Sequence, residues 1–409
     1  MTLKEELEIL RGEPIAVFSG DPMDIPCIET SDPEKLCKHP VVSVWMTTYN
    51  HEPYIRQAIE GVMMQKTDFE FELVIGEDCS TDKTREICFE YQKKHPDKIR
   101  VLWSAKNLNR NPHPAGGNGR RTLVRCRGEF IADCEGDDYW IDPLKLQKQV
   151  NVMRKYPNVG FCFCGSMRFF QDSDSYDVWN AWNVTYKPGV QKGKDFMLPF
   201  MLMLEHPHRP PQQKWTGFIM TATTMIRAAL LKHVQKVYEI FNWRLRLGDA
   251  TEWLAASSLM DGYYIPDIVS VYRIANTGVF QNPVTRVGVQ IDGIIVRLYF
   301  FKAALSLKFC LYPYYQIWSL ARAVLSSKEH SSEKARYAEL ILKGDGELIS
   351  ACRRWYAVPY FLQITLLESC NRTLKRIVSS IAVRLALLGM RMEGWRPELL
   401  KLYQGLVND

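Results

Sequence analysis

The sequence predicts an α/β fold, a mostly parallel sheet flanked by helices with a helical C-terminal region, on three observations. Short β-branched runs alternate with stretches of helical periodicity through about the first 160 residues. Several of these runs are apolar almost throughout, as expected of strands buried on both faces. Polar clusters follow the first, second and fourth runs, at the strand ends where open α/β sheets bind ligands.

Taken in order, residues 1–40 read as a short helical start and a Pro- and Asp-rich arm or linker. Val41-Val42-Ser43-Val44-Trp45-Met46 is the first strand. A helix follows through Ile55, Ala58, Ile59, Val62 and Met63, with Pro53 near its first turn. Phe71–Gly76 is the second strand, and Ser80 or Thr81 is the expected cap of a helix over Lys83–Lys94. Ile99–Trp103 is the third strand. Asn107–Gly119 reads as a Gly, Pro and Asn loop, with Gly116–Gly119 its flexible part, and Arg120–Arg127 as a short basic helix. The fourth strand, Glu129–Asp133, runs into Glu135, Asp137 and Asp138, and a helix is expected from about Asp142 to Lys155.

Beyond Pro157 the texture changes. Val159–Cys164 reads as a strand, Gln171–Gly193 as a polar loop studded with Trp and Tyr, and Thr216–Ile226 as a strand. Helices are expected over Met197–Leu204, Ala228–Ile240 and Asp249–Met260, and Tyr263–Arg273 as a strand pair or one bent strand. The implied organisation is an arm over 1–40, an α/β domain over 41–285 with halves 41–160 and 161–285, and a basic helical region over 290–409.

Composition narrows the class. Apolar content of 46% and charged content of 24% are those of a globular protein. From Gln290 on there are 17 Lys and Arg against 10 Asp and Glu, a net of +7. The whole chain carries +6, so residues 1–289 net −1. The basic excess therefore lies away from the acidic cluster, and no nucleic-acid partner is expected. The basic C-terminal helices suit either peripheral contact with an anionic membrane or a solvated bundle face. Eleven cysteines without a C-x-x-C pair indicate buried thiols, not a disulfide framework or a zinc site. No signal peptide is read at the N-terminus, and no apolar run approaches the ~20 residues of a membrane span. A cytoplasmic protein, on the inner face of the membrane if peripheral, is expected.

Carboxylates crowded at a strand end repel one another, and a divalent cation is the common reason for their presence. One site at this edge would hold Thr47, Tyr49 and Asn50, then Asp78, then Glu135, Asp137 and Asp138. That set suits a nucleotide diphosphate: a base stacked on Tyr49, its edge read by Asp78, its phosphates neutralised through Mg²⁺ or Mn²⁺. Each residue alone has a structural alternative, Tyr49 as a core aromatic and Asp78 as a turn residue. Gly116-Gly117-Asn118-Gly119 lacks the lysine of a phosphate loop.

Three blocks together, Val41–Asn50, Glu77-Asp78-Cys79-Ser80-Thr81-Asp82 and Cys134-Glu135-Gly136-Asp137-Asp138-Tyr139-Trp140, resemble the signature blocks of family 2 glycosyltransferases. The resemblance implies a GT-A fold and an inverting transfer of sugar from a nucleotide diphosphate donor to an acceptor hydroxyl, in surface glycan or lipid-linked saccharide synthesis. It implies that Thr47, Tyr49, Asp78 and Asp137 hold the donor nucleotide, and that Asp138, with Asp137 and Glu135, holds the metal. Leu247–Leu254 is similar to the block that supplies the general base, with Asp249 first and Glu252 second; the alternative is a helix cap and a solvated carboxylate. The chain departs from the pattern twice. Glu135 stands where Asp is usual, and Ile274-Ala275-Asn276 follow Tyr272-Arg273 where relatives often carry His, leaving Asn276 or water for that place.

These departures motivate a rival from another class, a catalytically weakened nucleotide-sugar-binding or scaffold protein. A nucleotidyltransferase would instead carry a Gly-rich, Arg-containing loop where Thr47–Asn50 stand.

Overall fold

A computed structural model describes residues 19–109, 113–179, 187–192, 219–232 and 234, together with 252–253, 256–257 and 259–274. The expected helices over 197–204 and 290–409 lie outside these residues.

The arm before residue 41 is ordered where described. A 3-10 turn at Pro22–Asp24 leads into a short edge strand, β1 (Ile28–Thr30). Ile25 anchors the arm by packing with Leu108 and Ala115. The βαβ series then unfolds as β2 (Val42–Thr48), α1 (Ile55–Met63), β3 (Phe71–Glu77), α2 (Thr84–Lys94), β4 (Ile99–Trp103), α3 (Asn118–Leu123) and β5 (Phe130–Asp133). Next come β6 (Tyr139–Trp140), α4 (Lys145–Lys155), β7 (Val159–Phe170), β8 (Ser175–Trp179), β9 (Gly189–Gln191), β10 (Met225–Arg227) and β11 (Asp261–Ile274). One sheet runs β1-β4-β3-β2-β5-β10-β7-β11-β6, with β8 added to β7 and β9 to β11.

The sheet is mixed, and its long ladders are parallel. β2 pairs with β3 from Val42↔Phe71 to Thr48↔Glu77 and with β5 from Val42↔Phe130 to Trp45↔Asp133; β3 with β4 and β7 with β11 are also parallel. β10 runs antiparallel between β5 and β7, which leaves β7 pointing the same way as β5. The C-terminal ends of β2, β3 and β5 therefore open at one edge, as right-handed βαβ units require. Val42, Val44, Met46, Leu73 and Ile75 are fully buried, and Ile55, Ala58, Ile59 and Val62 of α1 close the core with them. Gly61 makes α1's closest approach possible, since a Cβ there would stand 2.9 Å from the Trp140 backbone.

Several expectations are corrected. Most of β7 was legible, but the strand runs on to Phe170, and part of the expected polar loop 171–193 is sheet: β8 folds back on β7, from Ser166↔Trp179 to Phe170↔Ser175. Alternating Tyr176 and Val178, half exposed on an edge, blur the strand signal. Tyr263–Arg273 is one strand with register shifts near Ile265 and Ile268. Of Thr216–Ile226, the described residues hold a 3-10 turn at Thr221–Thr223 before β10.

Helix α3 begins inside the segment Gly116–Gly119, at Asn118. Gly116 (φ +135°) turns the chain, and buried Asn118 donates to Gly76 O at 2.7 Å. The basic helix ends at Leu123, and its Arg121 is fully buried, donating to Glu77 O (2.9 Å) and Leu102 O (3.0 Å). A guanidinium with five donors thus satisfies the carbonyls at the ends of β3 and β4.

A Cβ on Gly76 would stand 2.0 Å from Thr122 Oγ1 and 2.9 Å from Asn118 Oδ1. Gly76→Ala is expected to lower stability by about 1–3 kcal/mol through overpacking between β3 and α3. Denaturant titration checks this, and an unchanged midpoint would contradict the close packing.

Candidate active site

The loops after β2 and β3 are stitched together by side chains that read in sequence as simple turn formers. Asn50 N donates to Ser80 Oγ (3.0 Å), and Asn50 Oδ1 accepts from Thr81 N (2.8 Å). His51 N donates to Thr84 Oγ1 (2.8 Å) and Glu52 N to Asp82 Oδ2 (3.0 Å). Asp82 also accepts from Thr84 N (3.0 Å), so the helix start is held by Asp82 and not by the expected Ser80 or Thr81, which serve Asn50 instead. Asn50 (φ +52°) and Cys79 (φ +60°) take left-handed backbone on the facing loops. Asn tolerates that region; Cys adopts it only where its surroundings enforce it.

Thr47 and Tyr49 are half-buried at the end of β2. Asp78 is fully buried, and its carboxylate accepts from Leu108 N (2.7 Å) and Asn109 N (3.2 Å), while Asn107 Nδ2 donates to Asp78 O (2.8 Å). Burial pushes its carboxyl up, and the two backbone donors pull the other way. The residue expected to read a base edge is therefore engaged in shaping the 107–109 loop. Glu77, also buried, accepts from Ser80 N (2.6 Å) and Arg85 Nε (2.5 Å).

The acidic turn continues alongside β2. Cys134 N donates to Trp45 O (3.1 Å), Gly136 N to Thr47 O (2.9 Å) and Asp138 N to Glu135 O (3.1 Å). This turn sends its carboxylates to different environments. Glu135 is exposed, and the Asp137 side chain is 41% exposed. Asp138, expected as the most direct metal ligand, is 3% exposed, and its Oδ1 accepts from Arg273 N at 2.9 Å. Burial, then the charges of Asp137 and Glu135, push the Asp138 carboxyl well above the usual carboxylate range.

Arg273 closes the corner. Its guanidinium lies 4.6 Å from the Tyr139 ring centroid and 5.2 Å from that of Tyr54, and it donates to Gln57 Oε1. Tyr176 OH meets Tyr139 OH at 3.2 Å. Of the Trp- and Tyr-studded stretch 171–193, residues 180–186 and 193 lie outside the described residues.

Sequence reasoning passes over His51. Its Nε2 stands 3.9 Å from Asp137 Oδ2. Its sequence signal is an imidazole directly after Thr47-Thr48-Tyr49-Asn50, on the same loop as two expected donor residues, whereas the family pattern points to the segment after Arg273. Asp249 and Asn276 lie outside the described residues. Glu252 is 7% exposed, so the alternative of a solvated carboxylate does not hold; its neighbour Trp253 packs on Phe161 with ring centroids 5.8 Å apart.

Among the described residues no three His, Cys, Asp or Glu gather into a metal cage. A hard cation that takes most of its oxygens from phosphates needs only one or two protein carboxylates, and the half-exposed Asp137 beside exposed Glu135 fits that requirement.

Residues 43–233 match the family described as Glycosyl transferase family 2. This stretch is a family 2 glycosyltransferase domain. An uncharacterised protein of Mycobacterium tuberculosis is 40% identical over 122 residues, 30% of this chain and 34% of that protein. The putative teichuronic acid biosynthesis glycosyltransferase of Bacillus subtilis is 32% identical over 138 residues, 34% of this chain and 51% of the relative. The match thus spans a third to a half of these relatives' length. Among solved structures, Staphylococcus aureus TarS 1-349 aligns over 88% of this chain and 82% of its own, at 16% identity and a TM-score of 0.41. Within the glycosyltransferase domain lie the loops after β2, β3 and β5; β11, with Arg273, lies beyond the matched stretch.

Asp78→Asn keeps the side-chain size but leaves one oxygen to serve two backbone donors. Amide hydrogen exchange at Leu108 and Asn109 is expected to accelerate by about tenfold or more, for a lost bond worth ~1–3 kcal/mol. Unchanged protection at both amides would show that the loop holds without the carboxylate.

Proposed function

We propose that the chain transfers a sugar from a nucleotide diphosphate donor to an acceptor hydroxyl with inversion, with Mg²⁺ or Mn²⁺ bound at the acidic turn. The observation that carries this reading is the division of the turn: Asp137 is half-exposed beside His51 on the loop after β2, while Asp138 is buried and bonded to the Arg273 amide. Within a family 2 glycosyltransferase domain, that edge is where a donor diphosphate would meet a carboxylate-held cation.

In this reading Thr47 and Tyr49 take the nucleoside side and Asp78 acts there through the loop it holds. Asp137 and Glu135 supply carboxylate oxygens to the cation, and Asp138 orients the turn. The cation would offset charge that builds on the departing diphosphate. The acceptor oxygen forms a bond to the anomeric carbon on the face opposite the leaving group, and the carbon–phosphate oxygen bond breaks. A carboxylate takes the acceptor proton, with Asp249 first and Glu252 second in this role. The proposed acceptor class is a surface glycan or lipid-linked saccharide; the Bacillus subtilis relative is named for teichuronic acid biosynthesis, which supports the glycan side of this reading. Action at the inner face of a membrane, through the basic segment after Gln290, belongs to the same proposal.

Nucleoside diphosphate release from UDP- and GDP-sugars with Mn²⁺ tests the reading. Asp137→Asn and Asp249→Asn are each expected to lower kcat by about 10²–10⁴-fold, and the product's anomeric coupling constant by NMR is expected to report inversion. Saturable donor binding without nucleotide release would favour the binding-only rival. Retention of configuration would overturn the single-displacement step.

A further inference from the structure

We propose that His51 is the nitrogen ligand of the cation at Asp137, with Thr48 as the acceptor that orients its ring. This proposal rests on the donor-site reading above. It concerns a residue on the loop after β2, far in sequence from Ile274-Ala275-Asn276, which follow Arg273 and carry no imidazole.

The backbone of His51 is fixed independently of any ligand. Its N–H donates to Thr84 Oγ1, and its carbonyl accepts from Tyr54 N and Ile55 N, both at 2.8 Å, which starts α1. The ring is thereby delivered to the acidic turn. Nε2 lies 3.9 Å from Asp137 Oδ2, too long for a hydrogen bond and within the span of two ligands on one cation with bonds of about 2.1 Å.

The other ring nitrogen supplies an independent observation. His51 Nδ1 and Thr48 Oγ1 are both buried without a hydrogen-bond partner, and Thr48 is 2% exposed. A Cβ on Gly136 would stand 2.9 Å from His51 Nδ1 and 2.7 Å from Thr48 Oγ1, so both atoms border the same space at Gly136, with no hydrogen bond between them. Buried polar atoms are rarely left unpaired without a functional reason. A histidine that binds metal through Nε2 donates Nδ1–H to a second group, which fixes the tautomer and aims the lone pair. Thr48 Oγ1 is the acceptor at hand. Gly136 leaves open the space that both atoms border.

A neutral nitrogen ligand leaves the cation's charge available to the diphosphate. It also biases the site toward Mn²⁺ over Mg²⁺, because imidazole suits transition metals and Mg²⁺ strongly prefers oxygen.

The test is Mn²⁺ binding to the full chain, alone and with UDP or GDP, followed by electron paramagnetic resonance of free Mn²⁺ and by spin-echo modulation from ¹⁴N. Wild type is expected to show nitrogen coupling, lost in His51→Gln, with Mn²⁺ affinity about tenfold or more weaker and Mg²⁺ affinity changed less. Thr48→Val is expected to retain the coupling with Mn²⁺ bound several-fold more weakly. Circular dichroism and the melting temperature of each variant separate ligand loss from misfolding, and the coupling in wild type needs no variant. Mn²⁺ bound without nitrogen coupling, or bound equally well by folded His51→Gln, overturns the role of His51 and leaves the donor-site reading standing. No Mn²⁺ binding to wild type under any of these conditions overturns both.

Discussion

Two backbone hydrogen bonds hold the acidic turn against the end of β2, from Cys134 N to Trp45 O and from Gly136 N to Thr47 O. They continue the β2–β5 pairing past the last sheet residue, Asp133, so the chain hugs β2 before it leaves the edge. The approach is possible only because Gly136 has no Cβ to strike Thr48 and His51. Once the chain is pinned there, Asp137 and Asp138 face different surroundings, and Tyr139-Trp140 run into β6 beside β11. The placement of every candidate residue at this corner depends on that contact.

The same geometry divides the electrostatic load. Three carboxylates within four residues would repel strongly if they shared one environment. Here Glu135 is exposed, Asp137 is half-exposed, and Asp138 is buried with one oxygen on the Arg273 amide. Burial is the larger cause of the raised Asp138 carboxyl, and its two acidic neighbours add to it. An outward carboxylate is easily shared with a ligand; an inward one bonded to backbone is suited to fixing the angle of the turn. The exposed and buried members are therefore not interchangeable, although they are adjacent in sequence.

Much of the fold was legible because its strands and helices obey local rules. Val42–Met46 and Phe71–Gly76 are apolar throughout and pair in the middle of the sheet, and Ile55, Ala58, Ile59 and Val62 recur at helical spacing on the buried face of α1. The edges were less legible because tertiary partners override composition there. Arg121 looks like a solvated helix residue but is buried among the carbonyls of two strand ends, and β8 looks like a loop because one face of an edge strand is wet. At the candidate site, the blocks fall at neighbouring strand ends, yet they do not divide the labour within them. Whether Asp78 faces a ligand or a neighbouring loop depends on residues thirty positions away, Leu108 and Asn109, and no local pattern encodes that.

Arg273 shows how the corner is braced from the far side. Its amide holds Asp138, and its guanidinium lies over Tyr139 and Tyr54 and reaches Gln57 on α1. One residue at the end of β11 thus touches the acidic turn, β6 and the first helix. His51 begins that same helix, since its carbonyl accepts from Ile55 N. The acidic turn is consequently clamped between two elements that meet at α1, His51 on one side and Arg273 on the other. A shift of α1 would move the start of the helix at His51 and the contact of Gln57 with Arg273 together, and the close packing of α1 on β6 at Gly61 opposes such a shift.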